Sequence, residues 1–214
     1  MKKQFNWRLA ILPILNLMVI MACLPFLPDQ IPMHFNLQWE VDAYGSRESI
    51  LLMPFLLIGL WLLYQLMPIM DPLGKNYEKF KSRYEQTFIV LSLFIIGMEV
   101  MMILMAYSID FIKPELCLQV MMGVLFMVLG NIFPKIKHNY FVGIKTPWTI
   151  HDANNWTMTH RLGGKCWFIG GFLAIVFVVL PKPWRSIVLF VDLCLITIIP
   201  IVYSYIYFKE KRGL

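Results

Sequence analysis

Apolar residues in this chain fall into six long runs, at about 8–27, 50–69, 87–108, 115–133, 165–181 and 186–208. A helix that crosses a bilayer needs about 20 mostly apolar residues, so each run predicts a transmembrane helix. The fifth run is the shortest, and a start near Leu162 with Lys165 snorkelling to the interface completes it. Proline marks the ends: Pro28 and Pro32 follow the first run, Pro68 and Pro72 close the second, Pro114 and Pro134 bracket the fourth, and Pro181 and Pro183 sit between the last two. Pro13, Pro54 and Pro200 fall inside spans, which membrane helices tolerate. The pattern predicts an all-α polytopic membrane protein with a pair of spans in residues 1–69 and four more in residues 70–214, together one structural unit.

Composition agrees. Of 214 residues, 59% are apolar or aromatic and 15% are charged, with a mean hydropathy of +0.66. Soluble domains are about 45–50% apolar and about 25% charged. A disordered chain, a coiled coil and a small disulfide scaffold are excluded, and a soluble enzyme is disfavoured. The four cysteines, Cys23, Cys117, Cys166 and Cys194, lie in or beside apolar runs without metal-ligand spacing.

The net charge of +6 matters less than its distribution. The N-terminus, second loop, fourth loop and C-terminal tail hold 3, 4, 5 and 3 Lys/Arg, against 1, 1 and 2 in the first, third and fifth loops. By the positive-inside rule both termini are expected in the cytoplasm, with loop 28–49 outward and loop 134–165 inward. Lys2, Lys3 and Arg8 precede the first run as in a signal peptide, but the run continues past Cys23 to Leu27, so an uncleaved helix is expected.

Two loops exceed ordinary connections. The outward one carries Asp29, Glu40, Asp42 and Glu48 against Arg47, a local charge of −3 suited to a cationic or amphipathic ligand. Tyr44-Gly45-Ser46 reads as a turn, with Ser46 an N-cap. His34, Glu40 and Asp42 match no zinc spacing, and no metal or other cofactor is expected. The inward loop mixes five Lys/Arg with Tyr140, Phe141, Trp148 and Trp156, a combination drawn to an anionic leaflet. Thr149 to Asp152 has the form of a capping box with a shorter acid. Ile150, Ala153, Trp156 and His160 then recur at helical spacing, predicting a short interfacial helix. His138, His151, Asp152 and His160 share this segment with no nucleophile or metal spacing, so no catalytic residue is assigned.

Glu99 lies near the middle of the third span and Asp192 about one and a half turns into the sixth. Such groups face the bundle interior, neutral or paired, with Asn16 and Gln65 as possible polar neighbours. They suit either a polar pocket or proton path, or interhelical hydrogen bonding. Asn131 is expected to cap or orient the inward loop. Gly163, Gly164, Gly170 and Gly171 give the fifth helix a small-residue face for close packing.

The inward loop resembles the signature of the SdpI immunity family of bacterial six-span membrane proteins. The resemblance rests on Gly130-Asn131, Pro134-Lys135-Ile136-Lys137, Asn139-Tyr140-Phe141, Gly143-Ile144-Lys145-Thr146-Pro147-Trp148-Thr149, Trp156, Thr159-His160-Arg161 and Gly163-Gly164. The outward loop resembles an uncharacterised extracellular motif that often precedes it, through Pro28-Asp29, Ile31-Pro32, His34-Phe35-Asn36, Asp42 and Ser46. Lys145 replaces the usual Arg and Trp39 the usual Gly. The resemblance implies immunity to a secreted toxic peptide, a bacterial plasma-membrane location and, in some members, capture of a cytoplasmic transcriptional repressor, with no direct nucleic-acid contact. It points to Lys135, Lys137, Asn139, Lys145, Thr146, Pro147, Trp148, Trp156, His160 and Arg161 inside, and His34, Asn36 and Asp42 outside, as partner- or ligand-binding residues. The alternatives are a small proton-coupled transporter acting through Glu99 and a membrane enzyme using the inward-loop histidines.

Overall fold

Long apolar stretches with no water to satisfy their backbone become helices, because only intrahelical hydrogen bonding pairs every N–H and C=O within one segment. The computed structural model describes residues 6–36, 41–108 and 113–213. Its helices are α1 (Ile11–Cys23), α2 (Leu52–Met70), α3 (Lys81–Ala106), α4 (Pro114–Ile132), α5 (Pro147–His151), α6 (Ala153–Val176) and α7 (Lys182–Lys211). With their flanking 3-10 turns, six segments are long and apolar enough to cross a membrane: Trp7–Phe26, Arg47–Met70, Gly74–Ala106, Pro114–Lys135, Ala153–Val179 and Lys182–Arg212. Much of their apolar surface is open, as with Ile11, Leu63, Phe172, Phe190 and Ile198, which suits lipid as solvent.

The chain forms two units. The first comprises residues 1–66 and 88–118. Its core gathers Ile20, Leu27, Ile31, Ile50 and Met102. Ile31 comes from a two-stranded antiparallel hairpin, β1 (Gln30–Phe35) and β2 (Val41–Ser46), in the region expected to be a loop. Gln30 pairs Ser46 and Pro32 pairs Tyr44, with irregularities on either side of His34. Tyr44, Gly45 and Ser46 are thus strand residues and not a turn. Gly45 is needed for space: a Cβ there would lie 2.5 Å from Ser49 Oγ. Ser46 occupies the N-cap position of the following 3-10 turn, but its side chain makes no capping hydrogen bond. Trp39 and Glu40 lie outside the described residues.

The second unit comprises residues 67–87 and 119–214. Its central helix, α6, uses the predicted small-residue face as two columns. Gly164 and Gly171 meet α4, where Cβ atoms on them would lie 2.6 Å from Gly130 O and 2.4 Å from Gly123 O. Gly163 and Gly170 meet α7, at Pro200 and Ile196. Backbones approach this closely only where side chains are absent.

Three local expectations are corrected here. The capping box joins Thr146 and Thr149, not Thr149 and Asp152: Thr149 N–H donates to Thr146 Oγ1 at 3.1 Å, and Thr146 N–H donates to Thr149 Oγ1 at 2.8 Å. Pro147 takes the first helical position, where no N–H is missed. Asp152 instead caps α6, accepting from Asn154 N–H at 2.8 Å. The helix of the fifth span therefore begins at Ala153 and not near Leu162, and the positions read as one short interfacial helix divide between α5, which holds Ile150, and α6, which holds Ala153, Trp156 and His160. The polar first turns of α6 hide the helix from a hydropathy reading, because Asn155, Thr159 and His160 are buried in hydrogen bonds.

Candidate functional site

Past a 3-10 turn at Phe133–Lys135, the chain before α5 forms no helix or strand, yet several of its polar groups are buried, so side chains must satisfy them. Asn139, fully buried, does most of this. Its Nδ2 donates to Lys137 O (2.8 Å) and Val142 O (2.9 Å), and its Oδ1 accepts from Phe141 N–H (2.9 Å) and Val142 N–H (2.7 Å). One amide thereby folds residues 137–142 around itself.

Asp71, just past α2, clamps the loop from outside. Its Oδ2 accepts from Tyr140 N–H at 2.8 Å and from the Tyr77 hydroxyl at 3.0 Å, and its Oδ1 accepts from Leu73 N–H at 2.7 Å. The Tyr77 oxygen lies 3.3 Å from Asn139 Oδ1, joining the two centres. Asn76 Nδ2 donates to His138 O at 2.8 Å. Asp71, Asn76 and Tyr77 carry little local signal in the sequence, which shows an Asp-Pro step and polar residues in a short connection.

His160 closes the loop from the α6 side. Its Nδ1–H donates to Trp156 O at 2.8 Å, and its Nε2 accepts from Ile144 N–H at 2.9 Å. Accepting at one nitrogen and donating at the other fixes a neutral ring in one tautomer. Trp156 stacks on it at 4.0 Å and donates its indole N–H to Ile136 O at 3.0 Å. Gly143 has φ +123°, and a Cβ there would lie 2.3 Å from His160 Nε2, so this position demands glycine twice over.

A second contact set ties α5 to α7. Thr146 Oγ1 lies 3.0 Å from Ser204 Oγ, whose hydroxyl donates to Ile201 O at 2.7 Å. Asn155 Nδ2 donates to Ser204 O at 2.8 Å, and Thr159 donates to Asn155 Oδ1 at 2.9 Å. Trp148, half-buried, meets Tyr205 with ring centroids 5.0 Å apart. Lys211 donates to Asp152 at 2.8 Å, and this contact holds the Asp152 carboxyl below its ordinary value.

The predicted residues of this segment thus separate by exposure. Asn139, Thr146, Trp156 and His160 are buried in the polar knot, while Lys135, Lys137, Lys145, Pro147 and Arg161 lie exposed around it. The side chain of Asn131 is exposed, and among the described residues it accepts from the Lys135 ammonium, at 3.4 Å, and not from the loop backbone it was expected to orient.

In the first unit, His34 Nδ1 lies 2.5 Å from Asp42 Oδ1 on the hairpin, with both side chains exposed, and Asn36 follows β1. Asp29 pairs with Arg47 at the hairpin's base. Glu99 is buried and accepts from Asn16 Nδ2 at 2.6 Å, whereas Gln65 donates to Asn6 O. In the second unit, buried Asp192 lies against Gly170. Among the described residues, no three His, Cys, Asp or Glu side chains converge as a metal site would require.

Residues 135–204 match the SdpI/YfhL protein family, and residues 11–58 match a domain of unknown function, DUF1648. The first range contains the polar knot's loop, and the second contains the hairpin. The chain is 21% identical over 206 residues to Immunity protein SdpI of Bacillus subtilis (strain 168), covering 91% of this chain and 96% of that protein. No solved structure matches. Six spans and these similarities make it a multi-pass protein of the bacterial cell membrane.

Proposed function

We propose, from a chain whose residues 135–204 match the SdpI/YfhL protein family, a membrane immunity protein that protects its cell against a secreted toxic peptide. The observation that carries this is the similarity to Immunity protein SdpI, which runs through nearly the full length of both chains and so includes hairpin, spans and knot.

In this reading both termini are cytoplasmic, as the split of Lys/Arg between alternate loops favours. The hairpin then faces outward, where His34, Asn36 and Asp42 meet the peptide. The knot holds the opposite surface in one shape and presents Lys145, Pro147 and Arg161 to a cytoplasmic repressor. Peptide binding changes that surface only if the peptide prefers one state of the bundle over another.

The test is survival of a toxin-sensitive bacterial strain with and without the chain, under challenge by secreted killing peptides. Protection by the wild type supports immunity; equal killing in both strains, with the chain present in the membrane, overturns it.

A further inference from the structure

The second unit contains a feature that the polar knot does not use. A cleft of about 540 Å³ opens between the first turns of α3 with its preceding 3-10 turn and the chain that leaves α4. Five cationic side chains line it: Lys79, Lys81 and Arg83 on one wall, Lys135 and Lys137 on the other. Glu78 is its one acid.

Lys79 donates to the amide of Asn76 at 2.9 Å, Arg83 to that of Gln86 at 2.7 Å and Lys135 to that of Asn131 at 3.4 Å. All three acceptors are neutral. Among the described residues no carboxylate forms an ion pair with any of the five bases. Like charges gathered in a concavity focus a positive potential that draws an anion.

The position of the cleft says which anion. Its walls are the ends of two spans: α3 turns apolar from Phe88, and α4 is apolar up to Ile132 and Phe133. The bases therefore stand where the helices leave the hydrocarbon, at the level of lipid headgroups. Phe80 and Pro134 add an apolar part to the lining. The volume lies within the range of about 300–1,000 Å³ typical of ligand sites and exceeds what a lone phosphate fills. Four of the five bases are lysines, point charges that donate to phosphate oxygens from several directions.

We infer that this cleft is a binding site for the phosphodiester headgroup of an anionic phospholipid, with the phosphate between the two cationic walls and the acyl chains running along α4. The site rests on the membrane-spanning fold alone and stands or falls independently of immunity.

Native mass spectrometry of the full chain in mild detergent, titrated with phosphatidylglycerol or phosphatidylcholine, tests it. Lys81→Gln with Lys137→Gln removes one charge from each wall, at two exposed positions. Lys165→Gln with Lys209→Gln removes the same charge outside the cleft. The wild type and the K165Q/K209Q variant retain phosphatidylglycerol alike, and K81Q/K137Q binds it roughly 25-fold more weakly, since each base near a membrane surface contributes about a factor of five. Phosphatidylcholine is not retained, and inorganic phosphate does not displace the anionic lipid. Retention by K81Q/K137Q equal to wild type, equal loss in both double variants, or displacement by inorganic phosphate each overturns the proposal. Should K81Q/K137Q misfold, salt decides with the wild type: weaker retention at high than at low ionic strength supports the site, and no salt dependence overturns it.

Discussion

The loop after α4 and the hairpin after α1 both stand out in the sequence, but they use their distinctive residues in opposite ways. At the loop, Asn139 and Thr146 within it and Trp156 and His160 on α6 point inward and satisfy buried backbone. In the hairpin, His34 and Asp42 touch one another at the surface, while the burial that anchors the strands comes from Ile31 and Pro32. A distinctive residue is therefore not by itself a contact residue. The loop's motif is largely the specification of a shape, and the surface proposed for recognition is the set of exposed bases beside it.

Substitutions can break this contrast, and the largest effect belongs to Asn139. Asn139→Leu keeps the volume but strands two N–H and two C=O groups, and should cost about 3 kcal/mol or more, read as thermal unfolding in detergent. An unchanged transition would mean the loop is not held from its centre. Gly164→Val drives a branched side chain into Gly130 O and Pro134; a loss of about 2–3 kcal/mol is expected, with helix content largely kept. Asp71→Asn is smaller, about 1–3 kcal/mol. Both carboxylate oxygens accept from backbone N–H groups, so an amide NH2 must face one of them. Proteolysis within 137–145 should rise in step.

Acid should act weakly through Asp152. Its carboxyl is held below the ordinary 3.8 chiefly by the Lys211 hydrogen bond. The stability this gives is complete above the ordinary value and is lost as the pH falls through the lowered one. Lys211→Gln should remove that part of the acid dependence and leave neutral-pH function unchanged. The smallest effect on folding belongs to the hairpin: His34→Ala with Asp42→Ala should shift stability by no more than about 0.5 kcal/mol. A large shift there would erase the distinction between the two regions.

The six spans were legible because about 20 apolar residues in a row have few alternatives. The glycine columns of α6 were legible too, since spacing of seven returns residues to nearly the same helix face. The hairpin was missed because Pro32 and Gly45 read as turn formers, whereas here proline is tolerated in a two-stranded ribbon and glycine makes room for Ser49. The start of α6 was missed because its polar residues look solvated, although several are spent on buried hydrogen bonds. Asp71 and Tyr77 were invisible for a different reason: their partners at Tyr140 and Asn139 lie more than sixty residues away, and no local pattern encodes that meeting.

Survival under peptide challenge at matched membrane abundance tests most directly whether function sits on the exposed residues of a fixed scaffold. His34→Ala with Asp42→Ala is compared with wild type in a toxin-sensitive strain. The prediction is a chain that folds and inserts normally and no longer protects. Full protection by that variant would contradict the assignment of the hairpin surface to the toxic peptide.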